Sequence, residues 1–198
     1  MRTALLSFLI ATLLPLFFGS TRFALFALAL QGLALTLILG ATPESGDAAW
    51  LVHLADLGLV RAVIVPLLLS RYARRGGTEP LIPPNLLHWT TVGLAPILGF
   101  WFAARVAHVD TFAAGTGATG VLVGLLVLVH QDSRMGQVIA AVFIENSIAI
   151  FELSGPERAP WPVAAGLAIA FAASMLVFAT LLRLESRPAA PVGEEIRL

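Results

Sequence analysis

The stretch "AAVFIENSIAIFEL", residues 140–153, decides the fold class. It is apolar except for Glu145, Asn146 and Ser147 in its middle and Glu152 near its end. A helix that crosses a bilayer needs about 20 mostly apolar residues, and the mostly apolar sequence reaches back to Gly136. Residues 136–153 therefore form a predicted membrane helix with a carboxyl group at its centre.

The composition extends this interpretation to the whole chain. Of 198 residues, 58% are hydrophobic and 12% are charged, which is far more apolar than a soluble domain. Cysteine is absent, so disulfide frameworks, iron–sulfur clusters and thiolate metal sites are excluded. All twelve basic residues are Arg, and no basic patch interleaved with aromatic residues suggests nucleic acid as a partner.

Seven segments reach or approach the length of a membrane span, and we expect an all-α, polytopic membrane protein. They are long and do not alternate as barrel strands do. The segments are residues 3–19, 23–40, 48–70, 86–107, 112–129, 136–153 and 162–184. We expect an N-terminal four-helix part (1–109), a C-terminal three-helix part (110–184) and a polar cytoplasmic tail (185–198).

The distribution of Arg predicts the orientation, because positive residues near span ends mark the cytoplasmic side. The loop after the third span carries three Arg. Placing that loop inside puts eight Arg on the cytoplasmic side and three outside, with the N-terminus outside and the C-terminus cytoplasmic. The inside set is Arg22, Arg71, Arg74, Arg75, Arg134, Arg183, Arg187 and Arg197, and the outside set is Arg2, Arg105 and Arg158.

The first span also resembles a signal peptide, since Arg2 precedes an apolar run. However, "FFGSTR" (residues 17–22) is a poor site for signal-peptide cleavage. The interpretation that we favour keeps residues 3–19 as a membrane helix.

The third span carries a basic residue near mid-depth. A buried Arg such as Arg61 normally faces a bundle interior, a water cavity or a counter-charge. Asp56 is five residues away, which is about 140° around an α-helix, so a direct pair between the two side chains is expected to be strained. Arg61 is predicted to act on a proton path, or alternatively to belong to a structural ion pair. Pro66 is expected to kink this helix.

The sixth span carries a stripe of polar residues on one face. Glu145 is expected near the midplane of the bilayer. There, desolvation raises the proton affinity of a carboxyl group and a nearby Arg lowers it, and such intramembrane carboxylates mark proton relays. The alternative is a static, protonated Glu145 that bonds between helices. Asn146 is expected to bond a neighbouring helix or water and is also predicted to belong to the proton path. Asp56, Glu152 and Gln137 are accessory candidates, and Glu152 is alternatively a solvated helix end. The stripe consists of Gln137, Ala141, Glu145, Ile148 and Glu152.

Two further patterns have simpler explanations. "GTGATG" (115–120) fits a dinucleotide fingerprint, but it lacks the strand that this motif requires, so Thr116, Gly120 and Gly124 are predicted to form a helix-packing face. Four His are arranged as two bis-His haem sites would require, although two of them lie at span ends. We predict neither a haem nor another metal or cofactor. The four are His53, His88, His108 and His130.

Three stretches together resemble the hydrogenase-4 component E family, membrane subunits of group 4 [NiFe]-hydrogenase and formate hydrogenlyase-type complexes. The last three spans are also similar to chain K of NADH-quinone oxidoreductase and to the C-type component of multisubunit cation/proton antiporters. The stretches are "QVIAAVFIENSIAI" (137–150), "LVRAVIVPLLLSRYARR" (59–75) and "RFALFALALQGLAL" (22–35), which includes Gln31.

The resemblance implies a cofactor-free subunit of the bacterial or archaeal cytoplasmic membrane. Its expected partners are antiporter-like membrane subunits and, indirectly, the [NiFe] and iron–sulfur subunits. By motif, Glu145 takes the place of the family's intramembrane Glu and Arg61 that of its basic residue, usually Lys. Ser147 replaces the Gly of the E-N-G block, and the seventh span lacks the acidic residue that these families carry. A relay of two carboxylates within this chain is therefore disfavoured.

Three functions are compatible with these features, and catalysis by the chain alone is not predicted. The first is a membrane-arm subunit that contributes an intramembrane Glu to a proton path and to assembly. The second is a subunit of an antiporter-like complex without hydrogenase, or a small independent transporter. The third is a purely structural scaffold in which Glu145 makes an interhelical hydrogen bond.

Overall fold

Four side-chain caps define where the central helices begin. In the computed structural model, which describes residues 1–18, 20–42, 46–73, 86–106, 110–155 and 160–185, the side chains of Ser20, Asp47, Asp110 and Ser133 each accept a hydrogen bond from a backbone N–H of the first helical turn. Such caps satisfy N–H groups that the helix itself leaves unpaired. The helices are α1 (Arg2–Phe18), α2 (Thr21–Gly40), α3 (Ala48–Ala73), α4 (Leu86–Ala103), α5 (Thr111–His130), α6 (Arg134–Ser154) and α7 (Trp161–Glu185).

The all-helical class is confirmed, since helices account for most of the described residues and these residues contain no strand. Five helices, α2, α3, α5, α6 and α7, are long and apolar enough to cross a membrane. Shorter apolar helices cover Arg2–Phe18 and Val92–Ala103. Large apolar side chains point outward on several helices, for example Ile97, Val129 and Ile169, as suits a protein surrounded by lipid. These features indicate a multi-pass membrane protein.

The antiparallel helices α5 and α6 form the most extensive contact of the bundle. Gly120 of α5 lies against the side chain of Ser147, and a Cβ atom on Gly124 would lie 2.6 Å from Cγ1 of Ile144. The structure thus buries Thr116, Gly120 and Gly124 on the α5 face that meets its neighbours. Small residues at these positions allow the two helix backbones to approach closely.

The remaining helices surround this pair. α4 packs on α5, α1 packs on α2 and α5, and α2 also touches α3 and α6. α7 packs mainly on α3 and is the least buried of the long helices. Helices on both sides of the predicted boundary near residue 110 are in contact, and the division into two parts stays a prediction.

The middle of α3 is a π-helix over Ala55–Ile64. At its end the N–H of Val65 donates to the carbonyl of Val60, five residues back. Pro66, the next residue, has no N–H and cannot make the i→i−4 bond of an α-helix, which favours a change of helical pitch at this point. A widened segment thus precedes Pro66, and the predicted kink at Pro66 stays a prediction.

Glycine permits α2 to approach this widened segment. A Cβ atom on Gly32 would lie 2.5 Å from the backbone N of Ala62 and 2.8 Å from the carbonyl C of Arg61. Both atoms belong to the backbone, so they cannot move aside as a side chain can. The contact places Gln31 of α2 beside the segment of α3 that holds Arg61.

We expect Gly32→Ala to lower the stability of the purified chain by about 1–3 kcal/mol, because the added methyl overpacks a backbone contact. The midpoint of unfolding in detergent micelles measures the effect. The matched control is Gly93→Ala on α4, where a Cβ atom meets nothing within 4 Å. Equal midpoints for the two variants would contradict the close approach of α2 to α3.

Candidate functional site

Buried polar side chains form a layer between two apolar clusters. On each of four helices the polar residue has an apolar cluster residue on either side along the chain. Arg61 lies between Leu57 and Val65, and Asn146 lies between Phe143 and Ala149. We call this set the polar layer, and it comprises Thr12 of α1, Gln31 of α2, Asp56 and Arg61 of α3, and Asn146 of α6.

Arg61 forms an ion pair with Asp56 within α3. The guanidinium Nε lies 2.8 Å from Oδ2 of Asp56, and both side chains are buried. The expectation that this pair would be strained is therefore wrong, because it assumed the pitch of an α-helix. In a π-helix the backbone bonds join residues five apart, which brings positions 56 and 61 to nearly the same face.

Arg61 also connects α3 to α6 and α7. Its Nη1 donates a hydrogen bond to Oδ1 of Asn146 at 3.2 Å. The guanidinium lies 4.0 Å from the ring centroid of Phe171 on α7, an arrangement in which the ring face attracts the cation. One side chain thus joins three helices at mid-height of the bundle.

The hydrogen bonds continue from Asn146 to α2 and α1. Nδ2 of Asn146 donates to Oε1 of Gln31 at 3.1 Å, and Nε2 of Gln31 donates to Oγ1 of Thr12 at 2.8 Å. The hydroxyl of Thr12 then donates to the carbonyl of Phe8 at 2.9 Å. A continuous chain of side-chain hydrogen bonds therefore links α3, α6, α2 and α1.

The charge of Arg61 determines the direction of every bond in this chain. A guanidinium only donates, so Asn146 must present its oxygen to Arg61 and its NH₂ group to Gln31. The same logic turns the oxygen of Gln31 toward Asn146 and its NH₂ group toward Thr12. Since amides neither gain nor lose a proton at ordinary pH, these groups hold Arg61 in position and do not themselves carry protons.

The acidic residues of α6 lie on a different face from Asn146. Glu145, Ile148 and Glu152 are exposed, and so is Gln137, so no described helix of this chain covers the predicted stripe. Glu145 forms no hydrogen bond or ion pair with any described residue. Glu152 interacts electrostatically with Asp56, Arg61 and Glu145. The carboxyl groups of α6 therefore border the polar layer from outside.

Of the four candidate haem ligands, the structure describes the side chains of two. His53 is buried in α3, and Nδ1 of His130 lies 2.8 Å from the carbonyl oxygen of Leu126. His108 and the side chain of His88 lie outside the described residues. Within the described ranges, no group of three or more His, Asp or Glu is placed to hold a metal ion. The "GTGATG" stretch lies inside α5, and the described residues before it contain no strand, unlike a dinucleotide-binding loop.

Sequence reasoning missed Thr12. It found Gln31 only through the family resemblance. A single Thr in an apolar helix usually bonds its own backbone, as Thr36 does to Gly32. Thr12 makes the same backbone bond and accepts from Gln31 as well. Only the neighbouring helix distinguishes the two cases.

Comparison with known proteins adds no assignment, because no family model, curated protein or solved structure matches the chain. The site is therefore interpreted from its own geometry.

We expect Arg61→Met to destabilise the chain by about 3–5 kcal/mol, because it leaves Asp56 as an unpaired buried charge. The double variant Arg61→Met/Asp56→Leu should recover most of this loss, since apolar residues of similar size can replace a buried pair at little cost. A double-mutant cycle of unfolding free energies in micelles measures the coupling. A double variant no more stable than Arg61→Met would contradict the pairing.

Proposed function

We propose that the chain is a cofactor-free membrane-arm subunit of an ion-translocating redox complex of the hydrogenase-4 or complex I-like type. In this proposal it crosses the cytoplasmic membrane seven times, with the N-terminus outside and the C-terminus inside. α1 and α4 are the two spans added to the five long helices. Glu145 contributes to a proton path at an interface with an antiporter-like subunit.

The observation that carries the proposal is the position of Glu145. It follows the middle of α6, beside the buried Asn146, and yet its side chain is exposed. A charged carboxylate that faces hydrocarbon at this depth costs about 2.5–3.5 kcal/mol on insertion scales, and a residue at the helix centre cannot reach the interface easily. A second membrane protein that covers Glu145 removes this cost.

The balance of charge supports the same conclusion. Within the described residues Arg61 is paired with Asp56, so the polar layer supplies no free cation for the two Glu of α6. A partner helix with a basic or hydrogen-bonding residue at the depth of Glu145 would complete the site. Arg61 is then a fixed counter-charge near the path, since an Arg side chain hardly ever loses its proton, and Asn146 is a positioning residue.

The structural scaffold remains the second candidate, and the polar layer favours it. All the amides of the layer are occupied in holding α1, α2, α3 and α6 together, and α7 contains no acidic residue before its last position. In that case Glu145 is a protonated group that bonds to a partner helix. Proton transport distinguishes the two functions.

Purification of the tagged chain from its own host in a mild detergent tests the subunit assignment. We expect other multi-pass membrane subunits to co-purify, and mass spectrometry should identify a nickel–iron large subunit among the associated proteins. Co-purification of antiporter-like subunits alone would transfer the assignment to the antiporter alternative. A chain recovered alone in a stable, folded form would contradict both.

In membrane vesicles that contain the assembled complex, we expect Glu145→Gln to lower redox-driven proton pumping roughly ten-fold or more, because Gln cannot exchange a proton. Glu145→Gln should impair assembly of the complex less than Glu145→Leu does, because Gln keeps a hydrogen-bonding group. The matched control is Asp132→Asn, which removes the same charge from an exposed residue between α5 and α6. Unchanged pumping with intact assembly would favour the scaffold.

A further inference from the structure

Three buried polar atoms have no hydrogen-bond partner among the described residues. They are Nε1 of Trp50, Oγ of Ser154 and Oδ1 of Asp56. Buried polar atoms in proteins nearly always have a partner, either protein or water. These three have complementary chemistry, because the indole donates, the carboxylate oxygen accepts and the hydroxyl does both. Water satisfies all of them.

The three atoms lie toward the same end of the bundle. Leu57 shares an apolar cluster with Ile150 and Leu153, whereas Val65 shares the other with Val138, so α3 and α6 run antiparallel. From the Arg61–Asn146 contact toward this end, Asp56 is reached first. Ser154 and then Trp50 follow, where α6 ends and α3 begins.

The backbones of α3 and α6 are not in close contact along this region. Along its π-helical segment α3 makes close backbone contacts with α2, and far fewer with α6. The long side chain of Arg61 spans the distance to Asn146. α7 also lies beside Arg61, since the ring of Phe171 lies over its guanidinium and α7 packs mainly on α3.

The charge of Asp56 favours water over a dry interior here. Asp56 is only 7% exposed, and one of its two carboxylate oxygens is already occupied by Arg61. The other oxygen of Asp56 is buried and has no partner among the described residues. Leaving a charged oxygen unsolvated at low dielectric is costly, whereas a few buried waters that bond several polar groups are a normal part of protein structure.

We infer that a short file of water molecules runs between α3 and α6 from the end where α3 begins, past Trp50 and Ser154, to Oδ1 of Asp56. It ends at the Asp56–Arg61 pair, because the hydrogen bonds beyond Arg61 are made by side chains of the polar layer. This file gives water, and the protons that water carries, access to mid-depth from one side only. The inference rests on the unpartnered atoms and not on membership of a redox complex.

The absence of cysteine allows a direct test with single Cys variants of the full chain in lipid vesicles. The probe is a small cationic methanethiosulfonate, present on both sides of the membrane, which reacts with a thiolate in water. Asp56→Cys is compared with Leu57→Cys, and Ser154→Cys with Leu153→Cys. The two residues of each pair are adjacent in sequence and lie at a similar depth in the membrane, but the control residue, Leu57 or Leu153, belongs to the buried apolar cluster.

We expect the first member of each pair to react roughly ten-fold or more faster than its control, because a thiolate forms only where water or a cation stabilises it. At position 56 the guanidinium of Arg61 can still pair with the thiolate. Labelling is followed by the mass of the intact chain, and size-exclusion chromatography checks the fold. Equal labelling rates within both pairs would overturn the inference. If Asp56→Cys does not fold, equal rates for Ser154→Cys, which is close to isosteric, and Leu153→Cys would overturn it.

Because the labelling needs no pumping activity, its result is independent of the proposed function. A hydrated path in a chain that purifies alone would support the inference and contradict the subunit proposal. A dry path in an assembled, pumping complex would do the reverse.

Discussion

The ion pair between Arg61 and Asp56 is the constraint on which the interior of this protein depends. A guanidinium in an apolar bundle needs several hydrogen-bond acceptors, because it has five N–H donors and does not lose its charge. Asp56, Asn146 and the face of the Phe171 ring meet this need. From Asn146 onward, each amide is turned by the group before it, so a single charge sets the direction of hydrogen bonds across four helices.

The backbone of α3 adapts to this pair. Five residues separate Asp56 from Arg61, and only the π-helical pitch of Ala55–Ile64 brings them together. The widened segment then changes the surface that α2 meets, and Gly32 is the residue without a side chain at the closest point. Electrostatics, helical pitch and close packing are thus three aspects of one local arrangement. In proteins generally, π-helical segments often mark functional positions.

Much of the fold follows from the sequence, because apolar length and side-chain caps fix where helices occur. Helical spacing identifies both the polar stripe of α6 and the small-residue face of α5. It misjudges the pair of Asp56 and Arg61, since residue spacing carries no sign of a change in pitch. It also misses Thr12, whose role depends on Gln31 of another helix. The role of a residue can be predicted where it depends on spacing within one helix, but not where it depends on a contact with another helix.

The rotational orientation of α6 about its axis explains why Glu145 is exposed while its neighbour Asn146 is buried. Successive helical residues point about 100° apart. Ser147 lies against Gly120 of α5, and Asn146 meets Arg61 and Gln31, which turns Glu145 outward. One helical turn therefore connects the interior chain of hydrogen bonds to an exterior carboxyl group that has no partner among the described residues. Any group that a partner places against Glu145 would act next to the residue that holds Arg61, so the interior layer and the proposed interface share a single turn of α6.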